Sequence, residues 1–163
     1  MIYFTTFIIA LFLTQIARAL PQGCRDHVYP DLSTLDEQFN LTIPSPLEVT
    51  FDATFDNPQG LLNNVACSNG DNGLASRFPT FDTLPTFPFI GGAYDIVWNS
   101  PNCGGCWKIT NKANNRAIHI TAIDTAGAGF NIAEAAFKVL SGGSLGNPLI
   151  VTAQKIPESV CGI

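Results

Sequence analysis

A chain of 163 residues with 13 Asp and Glu against 8 Lys and Arg has a formal net charge of −5 at pH 7. That balance lacks the basic footprint needed to hold a phosphate backbone, which argues against nucleic acid as a partner. The length suits one domain with a sizeable core plus an extension, and the low charged fraction of 13%, with many Gly, Asn, Thr and aromatic residues, suits a neutral ligand such as a carbohydrate.

The chain opens on an apolar run through Ile8, Ile9, Leu11, Phe12 and Leu13 that ends at Ala17-Arg-Ala19. The run is too short and interrupted to span a bilayer, and small residues at the end suit cleavage, so residues 1–19 read as a secretory signal. No later segment is apolar enough to span a membrane. Residues Leu20 to Leu47 carry Pro21, Pro30, Pro44 and Pro46 together with Cys24, and show little strand pattern. They read as an N-terminal extension whose expected state is disorder. Asn40-Leu-Thr42 within it is an N-glycosylation acceptor in an exported chain.

At Val49 the pattern changes to strict alternation: Val49, Phe51, Ala53 and Phe55 against Thr50, Asp52, Thr54 and Asp56. Alternation of this kind predicts a half-buried strand. Further strands are expected over Asn64 to Ser68, Ala93 to Trp98, Cys106 to Thr110, Ala117 to Ile123 and Leu149 to Ile156. Asn114-Asn115, between two of these, marks a hairpin, because Asn tolerates the positive φ of a tight turn. Pro79, Pro85 and Pro88, interleaved with Phe78, Phe81, Phe87 and Phe89, describe a long ordered loop held to the core by its aromatics. One helix is predicted from Ile132 to Leu140, with Asn131 as its cap, Glu134 completing a capping box, Ser141-Gly-Gly143 as its stop, and Ile132, Ala136, Val139 and Leu140 on the buried side. Many short strands and one helix give a mainly β barrel.

Cys67, Cys103, Cys106 and Cys161 lie in this exported region, where an oxidising compartment favours two disulfides. Cys103-Gly-Gly-Cys106 has the spacing of a redox dithiol, but Trp107-Lys-Ile-Thr110 continues as a strand rather than opening a helix. Two glycines between the cysteines more simply let each reach a different distant partner. A zinc site is not supported, because His27 and His119 lack ligand spacing to the cysteines, so no metal and no cofactor are expected. His119 reads as a solvated residue on the polar side of its strand. Asp124 ends a strand just before Ala126-Gly-Ala-Gly129, where its carboxylate either shapes the turn by accepting backbone N–H groups or faces a ligand. Glycoside hydrolysis needs two carboxyl groups, and Asp52 and Asp124 are the candidates, with nothing in their spacing to bring them together.

Three strings, Cys67-Ser-Asn-Gly-Asp-Asn-Gly-Leu74, Trp98-Asn-Ser-Pro-Asn-Cys-Gly-Gly-Cys-Trp-Lys-Ile109 and Ala122-Ile-Asp-Thr-Ala-Gly-Ala-Gly-Phe-Asn-Ile-Ala133, are joined by Phe51-Asp-Ala-Thr-Phe-Asp56 and by Gly91-Gly92 with Asp95 before Trp98. Over residues 49–161 the chain resembles the cerato-platanin family of small secreted fungal proteins. The resemblance implies a six-stranded double-psi β-barrel over residues 48–163, with short helices and two disulfides, Cys67 to Cys103 and Cys106 to Cys161. It further implies binding of chitin oligosaccharides or wall polysaccharide, expansin-like loosening without hydrolysis, elicitation of plant defence through a surface receptor, self-assembly at surfaces, and a place in the fungal cell wall. By position, Asp124 matches the aspartate tied to sugar binding. Asn131 stands where related expansin and endoglucanase barrels carry their acidic proton donor, and a neutral amide cannot deliver a proton as a carboxylic acid does. Cys24 is an odd fifth cysteine and the extension is an addition to the usual pattern.

The reading is therefore a non-catalytic carbohydrate-binding protein. Asp124 is its main sugar contact, Asp52, Asn69, Asp71 and Asn131 are secondary polar contacts, and Gly70 and Gly73 allow close backbone approach. The competing readings are a weak glycanase or lytic transglycosylase on the same barrel, and a structural or signalling protein with no significant sugar ligand.

Overall fold

Residues 46–163 are described in a computed structural model of the chain. The expected signal, most of the extension, Cys24 and Asn40 lie outside the described residues. Six strands carry the fold: β1 (Leu47–Phe51), β2 (Ile90–Ala93), β3 (Cys106–Asn111), β4 (Ala117–Thr125), β5 (Phe130–Ile132) and β6 (Leu149–Ile156). Their order, β1-β5-β2-β4-β3-β6, closes into a barrel, so every strand has two hydrogen-bonded neighbours and no edge is left open. Two pairs are parallel, β1 with β5 and β2 with β4, and the rest are antiparallel. Inside the barrel, Val49, Ile90, Ile109, Ile120, Phe130, Ile132 and Val151 are almost fully buried.

The β3–β4 hairpin forms as the asparagine pair predicts. Asn115 has φ +57°, a left-handed conformation that Asn tolerates better than most residues. The side chains of Asn111 and Asn114 accept from the backbone N–H groups of Ala113 and Arg116, each at 2.9 Å. Trp107 pairs with Ile120 and Ile109 with Ile118 in the resulting ladder. The expected β6 agrees with the observed strand residue for residue.

Elsewhere local pattern gives way to tertiary bonding. The strand expected from Val49 through Phe55 ends at Phe51, because the Asp52 carboxylate accepts from Thr54 N–H at 2.8 Å and turns Ala53–Asp56 into a 3₁₀ helix. Ala53 is consequently exposed, while Phe55 still reaches the core beside Phe81. Asn64 to Ser68 is not a strand; Asn64 and Val65 N–H close a local turn on the Leu61 and Leu62 carbonyls, while Ala66 and Cys67 N–H go to the end of β4, the latter to the Ile123 carbonyl at 3.0 Å. The strand expected at Ala93 to Trp98 lies earlier, at Ile90–Ala93, after which the chain turns and leaves Trp98 exposed. In β2, a Cβ on Gly91 would collide with the Asn131 carbonyl and one on Gly92 would sit 2.7 Å from the Thr125 carbonyl oxygen, so only glycine fits between β4 and β5 here. The Pro- and Phe-rich loop is ordered as expected, with Phe81 and Leu84 buried.

The helix, α1 (Glu134–Ser141), starts later than expected, because Phe130-Asn-Ile132 forms β5 instead. Asn131 is not its cap: that side chain accepts from the Thr50 hydroxyl at 3.0 Å. Asp56, distant in sequence, caps it, Oδ2 accepting from Glu134 N–H at 2.7 Å and Oδ1 from Ala135 N–H at 2.9 Å. A carboxylate bonded to two first-turn amides satisfies groups that otherwise lack partners and complements the positive end of the helix. Gly142, at φ +85°, ends the helix. Ala136, Phe137 and Leu140 are buried, with the Phe137 ring 4.9 Å from that of Phe51, whereas Val139 faces outward.

Two disulfides, Cys67–Cys103 and Cys106–Cys161, join residues 36 and 55 positions apart. Cross-links closing loops of those lengths stabilise by about 4 kcal/mol each in the chain-entropy model. The pairing is the one the resemblance implies.

Replacing Asp56 by Ala should lower stability by about 1 to 2 kcal/mol through loss of the cap. Denaturant unfolding checks this, and a midpoint equal to the parent's would show that water replaces the carboxylate without cost.

Candidate functional site

The nine residues of β4 run past the end of β3 and carry Asp124 next to the strand's last residue. Register places Asp124 beside Gly92 of β2, Gly92 beside Asn131 of β5, and Asn131 beside Thr50 of β1. Asn131 and Asp124 therefore stand on the two strands flanking a glycine, about 10 Å apart by strand spacing. Two of the expected site residues are thus brought into one row, with no side chain on the strand between them.

Asp124 is half-buried, and its Oδ1 accepts from Ala66 N–H at 2.9 Å and Thr125 N–H at 2.8 Å. The carboxylate accepts backbone N–H groups, but not those of the Ala126-Gly-Ala-Gly129 turn expected from sequence: its distant partner lies 58 residues back along the chain, where it holds the loop before Cys67. Oδ2 has no hydrogen-bond partner among the described residues, so one oxygen does structural work and the other is available.

The loop that Asp124 holds returns on itself, with Leu74 N–H bonding the Cys67 carbonyl at 2.8 Å and Ala75 N–H the Ser68 carbonyl at 2.9 Å. It forms an open depression of about 340 Å³ lined by Asn63, Ser68, Asn69, Gly70, Gly73 and Ser76, with Ala75. Every side chain in that lining is uncharged. Gly70 has φ +93°, and a Cβ there would lie 2.5 Å from Asn99 Oδ1, so glycine is required where this loop meets the next one. Asn99 Oδ1 accepts from Asn72 N–H and its carbonyl from Asn72 Nδ2, both at 2.9 Å. Asn69 Oδ1 accepts from the Trp98 indole N–H at 3.1 Å.

The remaining expected residues are placed apart from this row. Asp52 is exposed and committed to the Thr54 amide. Asp71 is exposed and lines a separate depression of about 270 Å³ with Arg77 and Glu158. His119 is exposed on β4, paired with Lys108 of β3.

Asp95 is visible in sequence only as part of a motif, yet among the described residues it is the carboxyl group clearly shifted by its surroundings. Burial pushes it above the usual carboxylate range, while the Lys155 ammonium 3.9 Å away and a bond to its own backbone act in the opposite direction. Its Oδ1 is buried without a partner, as is the indole nitrogen of Trp107. Its carbonyl accepts from Asn102 Nδ2 at 3.3 Å, and Lys155 Nζ donates to Asn102 Oδ1 at 2.7 Å. Asp95 therefore anchors the loop bearing Trp98. Tyr94 beside it is raised by burial first and by the Asp95 charge second.

Among the described residues, no helix is long and apolar enough to cross a membrane, and no group of three or more His, Cys, Asp and Glu is placed to hold a metal ion. The family model described as Cerato-platanin matches residues 47–163. A heat-stable 19 kDa antigen of Coccidioides immitis is 39% identical over 126 residues, covering 74% of this chain and 84% of the antigen. Crystalline cerato-platanin 2 from M. perniciosa superimposes with a TM-score of 0.68 at 47% identity, over 72% of this chain and 98% of that one. The solution structure of the fungal elicitor Cerato-Platanin gives a TM-score of 0.65 at 36% identity, over 71% and 96%.

Asp124→Ala should destabilise by about 1 to 3 kcal/mol, since it leaves the Ala66 amide unpaired, whereas Asp124→Asn keeps an acceptor and should cost less. Thermal melts of both variants check the order, and an Ala variant as stable as the parent would contradict the anchoring. Asp95 gives a pH signature of the opposite sign to an ordinary paired carboxylate. Because its folded-state value is raised, ionisation costs stability, so its contribution is most favourable at and below the usual aspartate range and declines as pH rises through the raised value. The difference in melting temperature between parent and Asp95→Asn should therefore fall on going from about pH 4 upward; a difference that is flat or rises would refute the assignment.

Proposed function

The chain belongs to the cerato-platanin family, and from that premise we propose that it is a secreted, non-catalytic carbohydrate-binding protein that recognises chitin-type oligosaccharides. The observation that carries the reading is the row of Asn131, Gly92 and Asp124 beside an uncharged, amide- and hydroxyl-lined depression. An acetamido sugar offers one N–H donor and one carbonyl acceptor per residue, with hydroxyls around them. The unpaired Oδ2 of Asp124 suits the donor, and the Asn and Ser side chains of the depression suit the acceptors. A cello-oligomer lacks the acetamido group, so chitin oligomers should be preferred.

Hydrolysis is disfavoured on the same residues. Asp52 is committed to capping a turn, Asp124 is held by two amides through one oxygen, and the position corresponding to the proton donor of related barrels is Asn131. Binding without cleavage fits a role in loosening wall polysaccharide or in presenting wall fragments to a host. Elicitation of plant defence is proposed by analogy with the solved relative described as a fungal elicitor. Secretion, a place in the fungal wall and self-assembly at surfaces are part of the same proposal, supported by the apolar start of the chain and the oxidised cysteines.

Calorimetric titration should show tighter binding of chitotetraose than of cellotetraose, with no reducing ends released from chitin or cellulose over long incubation. Equal or absent binding of the two oligomers would contradict chitin recognition. Sustained release that disappears in Asp124→Asn would establish the glycanase alternative instead.

A further inference from the structure

Trp98 combines two properties that rarely coexist: its side chain is 62% exposed, and its polar atom is pinned. The chain contains only two tryptophans, and the other, Trp107, is in the core with 6% exposure. Leaving a large indole in water, next to a Val97 that is also 62% exposed, costs hydration free energy that burial would recover. The loop that carries it is nevertheless fixed on all sides. Cys103 ties it to Cys67, Asn99 to Asn72, and Asn102 to Asp95 and Lys155. The acceptor holding the indole N–H is Asn69, which also lines the 340 Å³ depression.

We infer that the indole of Trp98 is a stacking platform for one pyranose ring of the bound oligosaccharide, forming a subsite adjoining the polar depression. The inference rests on the carbohydrate-binding reading and adds to it a residue and a mode of contact. A hydrogen bond at the indole edge fixes the ring plane and leaves a face open, and a ring already immobilised loses little entropy when a ligand covers it. The face is apolar and the adjacent lining is polar and uncharged, so the complementary ligand is neutral, hydrogen-bonding at its rim and apolar on one face. A β-linked pyranose has those properties, because its ring C–H bonds point above and below the plane while its substituents lie at the edge. A phosphate or an acidic peptide finds no partner charge in this lining and meets the negative face of the indole ring.

The test uses the parent protein, Trp98→Ala, Trp98→Phe and Asn69→Ala, titrated with chitobiose and chitotetraose by calorimetry and by intrinsic fluorescence, beside thermal melts. Saturating chitotetraose should shift the emission of the exposed tryptophan to shorter wavelength in the parent, and the shift should vanish in Trp98→Ala. That variant should bind chitotetraose about tenfold or more weakly with its melting temperature close to the parent's, Trp98→Phe should retain part of the affinity, and Asn69→Ala should lose less than Trp98→Ala. If the parent binds chitotetraose and Trp98→Ala binds it equally well, the platform is overturned while carbohydrate recognition stands. If the parent binds neither oligomer, both are overturned. A Trp98→Ala variant that melts far below the parent, with Trp98→Phe binding like the parent, would make the indole a structural element of the loop and also overturn the platform.

Discussion

The surface proposed to bind sugar depends on the tethering of one loop: the segment before Cys67 is bound to the end of β4 by the Asp124 carboxylate and to the following loop by the Cys67–Cys103 disulfide. The barrel needs no such help, since its six strands satisfy one another's backbone groups around a closed circuit. The segments between β1 and β2 and between β2 and β3 are different. The first contains short 3₁₀ turns and an isolated bridge and the second only turns, so little regular hydrogen bonding opposes their conformational entropy. A covalent link and a half-buried carboxylate convert them into a fixed surface. The neutral depression, the Asn72–Asn99 pair and the Asn69–Trp98 pair all lie on that surface.

The carboxylates divide the labour in a way that bears on chemistry. Asp56 is spent on the amides of α1, Asp52 on a turn, and Asp95 on a half-buried ion pair with Lys155. Asp124 keeps Oδ2 unpartnered among the described residues beside the Gly92 position, whereas the free Oδ1 of Asp95 is buried, and Asn131 stands across Gly92 as an amide bonded to Thr50. General acid and base catalysis on a glycoside needs two carboxyl groups in defined separation. One available oxygen opposite an amide fits the proposed role in recognition better than that chemistry.

Much of the barrel could be read in the sequence, and the parts that could not share a cause. β3, β4, β6 and the hairpin between two of them follow from alternation and from a local asparagine turn, which are properties of neighbouring residues. The Val49 pattern misleads after Phe51 because Phe55 reaches the core equally well from a 3₁₀ turn. β5 has three residues, too few for a period to show, and its Asn131 imitates a helix cap that is supplied by Asp56 from 78 residues away. Asp124 could be singled out by its place before the Ala126-Gly-Ala-Gly129 string, but its Ala66 partner could not. Trp98 and Asp95 stand in the sequence as parts of a motif; exposure in one case and burial in the other, both set by tertiary packing, are what distinguish them.

The central claim is that the surface held by Asp124 and Cys67–Cys103 is the sugar-binding surface. The most direct measurement is an amide chemical-shift map of isotopically labelled protein titrated with chitotetraose. The account predicts perturbations concentrated in residues 66–76, at 97–99 and around Gly92, Asp124 and Asn131, with the outer faces of β3 and β6 silent. Perturbations centred on those outer faces or on α1, with the tethered loops unmoved, would contradict it.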